Sequence, residues 1–130
     1  MKQPSHYVTD WLDKRANLTP DRIALIDYAN GAETTFAEWN ARANRTANYL
    51  RSLGIAKGDR VALISEGRTL WVVAEMAILY AGATNVPISV KINEPAELKF
   101  RMAHSGCRMA VVSSTQAQKV EAIRKDLPDL

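Results

Sequence analysis

Lys57-Gly58-Asp59 followed by Arg60-Val61-Ala62-Leu63-Ile64 is a polar turn leading into a short apolar run, and that run reads as a buried strand. The segments downstream of it set the fold. Leu70 to Ala81 carries a single charge, Glu75, so this stretch predicts a helix covered on most of its sides, and Gly82 stops it. Ala83-Thr84-Asn85-Val86-Pro87-Ile88 is a second strand, in which Pro87 lacks an amide donor and belongs at the strand's end or at an irregular position. Asn93-Glu94-Pro95-Ala96-Glu97 then places proline at the first position of a helix with an acid in its first turn, and Gly106 closes it. Met109-Ala110-Val111-Val112 is a third strand. Thr115 to Gln118 carries a capping-box pattern, opening a last helix whose apolar face is Val120, Ile123 and Leu127, before Pro128. Three strands separated by helices predict right-handed parallel crossovers. A three-stranded parallel sheet leaves two edges open, a liability unless more chain or another subunit covers them.

Upstream, Val8, Trp11, Leu12 and Ala16 recur at helical spacing, so residues from about 7 to 17 read as a short amphipathic helix, with Pro20 beyond its end. Ile23 to Tyr28 is rich in strand formers, and Ala29-Asn30-Gly31 brings the Asn-Gly pair suited to a type I′ turn, so a hairpin returns through Glu33, Thr34 and Thr35. Thr35-Phe36-Ala37-Glu38 fits a capping box. The helix it opens has Phe36, Trp39, Ala43, Ala47, Leu50 and Leu53 as its buried stripe, with Gly54 free to take a left-handed cap. Arg42, Arg45 and Arg51 lie off the stripe, as a solvated face or a subunit contact, and take no catalytic role. The fold class is therefore α/β: an N-terminal helix and β-hairpin, then βαβαβα with a parallel sheet.

At 130 residues, 47% hydrophobic and 24% charged, the chain has the size of one domain, read as a single unit over residues 1–130. Its net charge of +3 is dispersed among acids, which argues against a nucleic-acid surface. The first residues hold no apolar signal core, and no later stretch supplies the ~20 apolar residues a transmembrane helix needs, so a cytoplasmic location is expected. Cys107 is the lone cysteine, without a disulfide partner or a metal-ligand spacing, and reads as a core thiol. Asn17-Leu18-Thr19 and Asn44-Arg45-Thr46 match a glycosylation triplet that matters only in a secreted chain.

Phosphate loop, dinucleotide fingerprint, paired zinc histidines and nucleophile elbow are all missing from the sequence. The glycines of Gly54 to Gly58 read as a helix cap and turn. His6 lies near the terminus, and His104 at a helix end, where a structural role suits it. In open α/β sheets ligands bind beyond the carboxyl ends of strands, so Ser65 to Thr69, Ser89 to Asn93 and Ser113 to Thr115 are the loops to inspect. Ser65-Glu66-Gly67-Arg68-Thr69 could present amides, a guanidinium and a hydroxyl to an anion, or could simply cap the next helix. Trp71 reads as core packing.

Taken together, these segments resemble the N-terminal part of the AMP-forming acyl-CoA synthetases, within the adenylate-forming ligase superfamily. The resemblance rests on Thr34-Thr35-Phe36-Ala37-Glu38-Trp39, on Arg42-Ala43-Asn44 and the helix to Leu53-Gly54, and on Gly58-Asp59-Arg60-Val61-Ala62-Leu63. It continues through Leu79-Tyr80-Ala81-Gly82-Ala83, Val86-Pro87-Ile88, Glu94-Pro95-Ala96-Glu97-Leu98 and His104-Ser105-Gly106-Cys107-Arg108, in the family's order and spacing. Ser65 to Trp71, where many members carry an Asn-x-Pro-Glu-like stretch, and Ser89-Val90-Lys91, where many carry Asp-Pro, look similar to the variants of long-chain fatty acid ligases.

The resemblance implies a two-step reaction. A carboxylate attacks the α-phosphate of ATP to give an acyl-adenylate and pyrophosphate, and the coenzyme A thiol then displaces AMP, with magnesium accompanying the nucleotide. It also implies that the phosphate loop, the nucleotide-binding motifs and the C-terminal lid with its lysine lie past Leu130. Residues 1–130 are thus expected to be an incomplete N-terminal subdomain with no catalytic, cofactor-binding or metal residue of their own. The parent would use ATP, Mg2+, CoA and a fatty acid, the 130-residue chain would bind none of these and be inactive, and homo-oligomerisation stays open. Two other readings fit the same residues. One is a free-standing, non-catalytic α/β module that binds a ligand or protein through Ser65 to Thr69, and the other a small interaction protein docking by a sheet edge or the arginine-bearing helix.

Overall fold

A computed structural model describes residues 10–130; Val8 and His6 lie outside the described residues. The chain runs α1 (Asp10–Leu18), β1 (Ile23–Ile26), β2 (Glu33–Thr35), α2 (Phe36–Ser52), β3 (Arg60–Ile64), α3 (Thr69–Tyr80), β4 (Thr84–Pro87), α4 (Pro95–Ser105), β5 (Cys107–Val112) and α5 (Ala117–Arg124). Every element expected from the sequence is present among these, in the expected order.

The hairpin pairs antiparallel, Ile23 with Thr35 and Ile26 with Glu33. Its turn departs from the type I′ expectation. Asn30 does not adopt positive φ, and only Gly31 does, at 70°. Asp27 N–H donates to Ala32 O at 2.8 Å and Gly31 N–H to Asp27 O at 2.7 Å, so the loop has four residues where a type I′ connection has two. Asp27 Oδ1 and Asn30 Oδ1 accept the amides two residues on, those of Ala29 and Ala32, and these side-chain bonds favour the wider loop.

α2 opens on the expected capping box: Thr35 Oγ1 accepts from Glu38 N–H at 3.2 Å, and Glu38 Oε2 from Thr35 N–H at 2.8 Å. Trp39, Ala43, Ala47 and Leu50 are buried along its stripe, but Phe36 is half-buried and Leu53 is exposed, because the helix ends at Ser52 and the chain turns away. Trp39 receives Trp11 edge-on at 5.3 Å between centroids and stacks on Phe36 at 6.4 Å, which fixes α1 against α2.

β3, β4 and β5 form a parallel sheet in the order β4-β3-β5. Side chains alternate across it. Val61 and Leu63 pack under α2 and α3 with Ala47, Leu50, Ala77 and Ile78. Ala62 and Ile64 face the other way, onto Leu98 and Met102 of α4 and Val120 and Ile123 of α5. A third cluster, Leu12, Trp39, Ala43, Val73 and Met76, sits between α1, α2 and α3. Each fully buried aliphatic side chain in these layers contributes ~1.5–3 kcal/mol relative to exposure. α3 touches two of the three clusters, which is why its sequence is apolar nearly all round; even so, Leu70 at its start is exposed. Pro87 is the last residue of β4 and Pro95 the first of α4, as expected, and Gly106 at φ 68° caps α4 in the left-handed conformation.

The starts of β5 and α5 also differ from expectation. β5 begins at Cys107, two residues before Met109, because Cys107 pairs with Arg60 across a register shift. Thr115 is not an N-cap: α5 starts after Gln116, with no side-chain cap bond. The Thr115 hydroxyl is engaged elsewhere.

Candidate functional site at the sheet's switch point

β3 lies at the centre of the sheet. α3 covers the face of Val61 and Leu63, while α4 and α5 cover the opposite face. The connections leaving β3 and β5 therefore part to opposite sides, and such a parting is where open α/β sheets place their ligands. Ser113 N–H donates to Ile64 O at 3.1 Å, the last bond joining the two strands before their loops separate.

Of the three loops singled out from sequence, Ser65 to Thr69 and Ser113 to Thr115 meet here. Ser89 to Asn93 does not: it follows β4 and is tied to α5 by Lys119 Nζ, which donates to Val90 O at 2.8 Å and Ile92 O at 3.4 Å. Glu66 bridges the first two. Its Oε1 accepts from Thr115 Oγ1 at 2.6 Å and Gln116 Nε2 at 2.8 Å, and the Ser113 and Thr115 hydroxyls lie 3.1 Å apart. The Thr115 hydroxyl, then that of Ser113, hold the Glu66 carboxyl down to about 2, so it is ionised at neutral pH. This competing carboxylate is what removes Thr115 from capping duty. Gln116 is buried, and its Oε1 has no donor among the described residues.

Ser65 to Thr69 read either as an anion site or as a cap for the next helix, and the anion that Arg68 meets is a carboxylate of the chain itself. Asp27, buried at the end of the hairpin's first strand, lies 3.3 Å from Arg68 Nε and 3.3 Å from Arg68 Nη2. The Ala29 amide does most to hold the Asp27 carboxyl below the usual range, with Arg68 and the Thr69 amide adding to it against the effect of burial. α3 has no side-chain cap from its own N-cap residue, Arg68. Asp27 thus brings a negative charge to the positive end of that helix from 42 residues upstream of Thr69. Beside this pair a cleft of ≈ 400 Å³ opens between Leu25, Ile26 and Tyr28 of the hairpin and Gly67, Arg68 and Val72.

The remaining candidates take structural places. His104 stacks on Phe100 at 5.2 Å in the last turn of α4. Trp71 is half-buried against the cluster around Leu63. Arg42 and Arg45 are exposed, while Arg51 bonds Asn48 Oδ1 at 2.9 Å and the Tyr80 carbonyl. Cys107 is buried with its Sγ 3.1 Å from Ser105 Oγ, and burial pushes its thiol up. Among the described residues no group of three His, Cys, Asp or Glu could hold a metal ion, and no helix is long and apolar enough to cross a membrane. Sequence reasoning missed Asp27 and Gln116, and it missed the bridging role of Glu66 within a loop it singled out. For Glu66 a signal was present, an acid two residues after a buried run, but its partners lie about 50 positions away.

The crevice is a poor fit for a nucleotide. A triphosphate brought to it meets the ionised Glu66, and the guanidinium of the same loop, Arg68, is paired with Asp27. What the arrangement can do is hold two loops in fixed relation.

A helix and hairpin feeding a parallel β4-β3-β5 layer with this parting is the N-terminal architecture of CoA ligases. The anthranilate CoA ligase AuaEII, solved with anthranoyl-AMP, superposes with a TM-score of 0.86 at 27% identity, over 94% of this chain and 23% of that one. The N-terminal domain of FACL13 from Mycobacterium tuberculosis gives 0.82 at 33% identity, over 89% of this chain and 29% of that one. The chain belongs to the AMP-binding enzyme family, whose model matches residues 12–130. The long-chain-fatty-acid–CoA ligase FadD13 of Mycobacterium tuberculosis is 34% identical over 113 residues, which is 87% of this chain and 22% of that protein. The chain thus spans under a quarter of the length of this relative.

Proposed function

We propose that the parent of this chain is an AMP-forming long-chain fatty acid–CoA ligase, and that residues 1–130 supply its N-terminal α/β layer without its nucleotide-handling groups. The observation that carries this is the 34% identity to a long-chain-fatty-acid–CoA ligase across 87% of the chain. In this reading the parent uses ATP, magnesium, CoA and a fatty acid in the cytoplasm. The bound nucleotide supplies the leaving group that activates the carboxylate. The part played by this chain is mechanical: Glu66 fixes the loops after β3 and β5, and Asp27 fixes the start of α3.

An aromatic carboxylate is the rival substrate class, suggested by the 32% identity to a feruloyl-CoA synthase of Amycolatopsis over 87% of this chain. The intact gene product, assayed for AMP and acyl-CoA with carboxylates of increasing chain length and with benzoates, separates the two. Long-chain preference is expected, with no ATP–pyrophosphate exchange by the 130-residue chain. Exchange by the 130-residue chain itself would overturn its assigned inertness, and a gene product inert towards every acid would overturn the ligase reading.

A further inference from the structure

The hairpin loop carries the chain's single Asn-Gly pair, Asn30-Gly31, in a setting that favours a reaction between the two residues. Both are exposed, and a Cβ added at Gly31 would meet nothing within 4 Å, so the Gly31 nitrogen is uncrowded. The Asn30 side chain is turned towards the residues that follow it, because its Oδ1 accepts from Ala32 N–H at 2.9 Å. That amide stands where negative charge develops when the Gly31 nitrogen adds to Asn30 Cγ, at the distance of an oxyanion donor. One bond opposes the reaction: Gly31 N–H donates to Asp27 O at 2.7 Å and must release it first. The other asparagines lack this setting. Asn40, Asn44 and Asn48 lie within α2, while Asn17, Asn85 and Asn93 precede Leu18, Val86 and Glu94, whose side chains crowd a ring closure.

We infer that Asn30 is a site of spontaneous covalent modification, converting without an enzyme to aspartate and isoaspartate through a cyclic imide with Gly31. The Gly31 nitrogen gives its proton to hydroxide and bonds Asn30 Cγ, and Nδ2 takes a proton from water and leaves as ammonia. Water then opens the imide. Cleavage of the bond at Cγ gives aspartate in a normal backbone, and cleavage at the main-chain carbonyl carbon routes the chain through Cγ and lengthens it by one atom. In sum, asparagine and water give the acid and ammonia, with no change of oxidation state.

The lengthened product does not fit the loop. The bonds from Asp27 N–H to Ala32 O, at 2.8 Å, and from Gly31 N–H to Asp27 O both span the altered linkage. The same loop supplies the Ala29 amide that Asp27 Oδ1 accepts at 2.9 Å, so isoaspartate at 30 loosens the Asp27 carboxylate and its hold on Arg68. None of this depends on the ligase reading.

Ageing the intact gene product at neutral and at alkaline pH, with peptide mapping and a methyltransferase specific for isoaspartate, tests the site. Isoaspartate is expected at position 30 before any other asparagine of residues 10–130 converts, sooner at alkaline pH, and at a rate that added sucrose, which stabilises the folded state, leaves unchanged. Another of these asparagines converting first, or an intact Asn30 throughout, overturns the inference. Slowing by sucrose in step with stability places the reaction in the unfolded chain and overturns the folded-loop route. Trypsin cleavage after Arg68 reads the loosening. It is expected to be several-fold faster in the aged protein, but to stay at the starting rate in Asn30→Asp, which adds the charge without the extra atom, and in aged Asn30→Gln. Equal cleavage of fresh and aged protein, or equal acceleration in either variant, overturns the loosening.

Discussion

The Asp27 carboxylate and the Arg68 guanidinium, 41 positions apart, meet at 3.3 Å and tie the hairpin to the start of α3. The carboxylate is buried and the guanidinium half-exposed. Asparagine at 27 keeps the shape and the acceptor for the Ala29 amide but loses the charge facing Arg68 and the helix end. Asp27→Asn is expected to lower the Tm by a few degrees. Arg68→Ala should cost less in the Asp27→Asn background than alone, because the two residues act on each other; a double-mutant cycle reads this, and additive effects would sink it.

Glu66 gives a pH dependence with a definite sign. Its carboxyl titrates near 4.5 when unrestrained and at about 2 in the folded chain, so the folded state favours the ionised form. Its contribution is complete above pH ~4.5 and is lost as pH falls towards about 2. Glu66→Gln is expected to destabilise at pH 7, and the gap to the parent should narrow through that window. Urea melts at pH 7, 4.5 and 2.5 measure it, and a gap that stays constant would contradict the Thr115 and Gln116 bonds.

Two leucines in neighbouring segments should behave oppositely. Leu63, 1% exposed between β3 and the helices above it, is expected to cost ~2–5 kcal/mol on substitution by alanine. Leu70, 72% exposed, should stay within ~0.5 kcal/mol. Chemical denaturation of Leu63→Ala and Leu70→Ala distinguishes them.

Cys107 should be chemically silent in the folded protein. Burial pushes its thiol up, so the thiolate is scarce at pH 8 and shielded from reagents. A disulfide-exchange reagent is expected to titrate one thiol per chain in denaturant and almost none without it. Rapid native labelling would mean that the α4–β5 corner opens.

How legible the fold was depended on the range of the interaction that decides each feature. The capping box at Thr35 and Glu38 was readable because both bonds close within three residues. The matching pattern at Thr115 misled, because Glu66 arrives from 49 positions upstream and takes the hydroxyl. The hairpin turn was misread for a subtler reason. Asn-Gly suits a two-residue turn, but the side chains of Asp27 and Asn30 bond local amides and hold a longer loop. Leu53 continued the helical period on paper, yet the helix stops before it. At the switch point the loops were found from strand ends alone, while their cross-link was invisible, since nothing in Ser65 to Thr69 names its partner.

The bridge from Glu66 to Thr115 and Gln116 also constrains how such a chain can change length over generations. Loops at strand ends ordinarily accept insertions one at a time. Here a residue added between Ile64 and Glu66 would pull the carboxylate off two donors at once, one of them buried. Lengthening is tolerated only if the loop after β5 grows to match, so the two segments are expected to vary together in size among natural variants, as a single inherited unit.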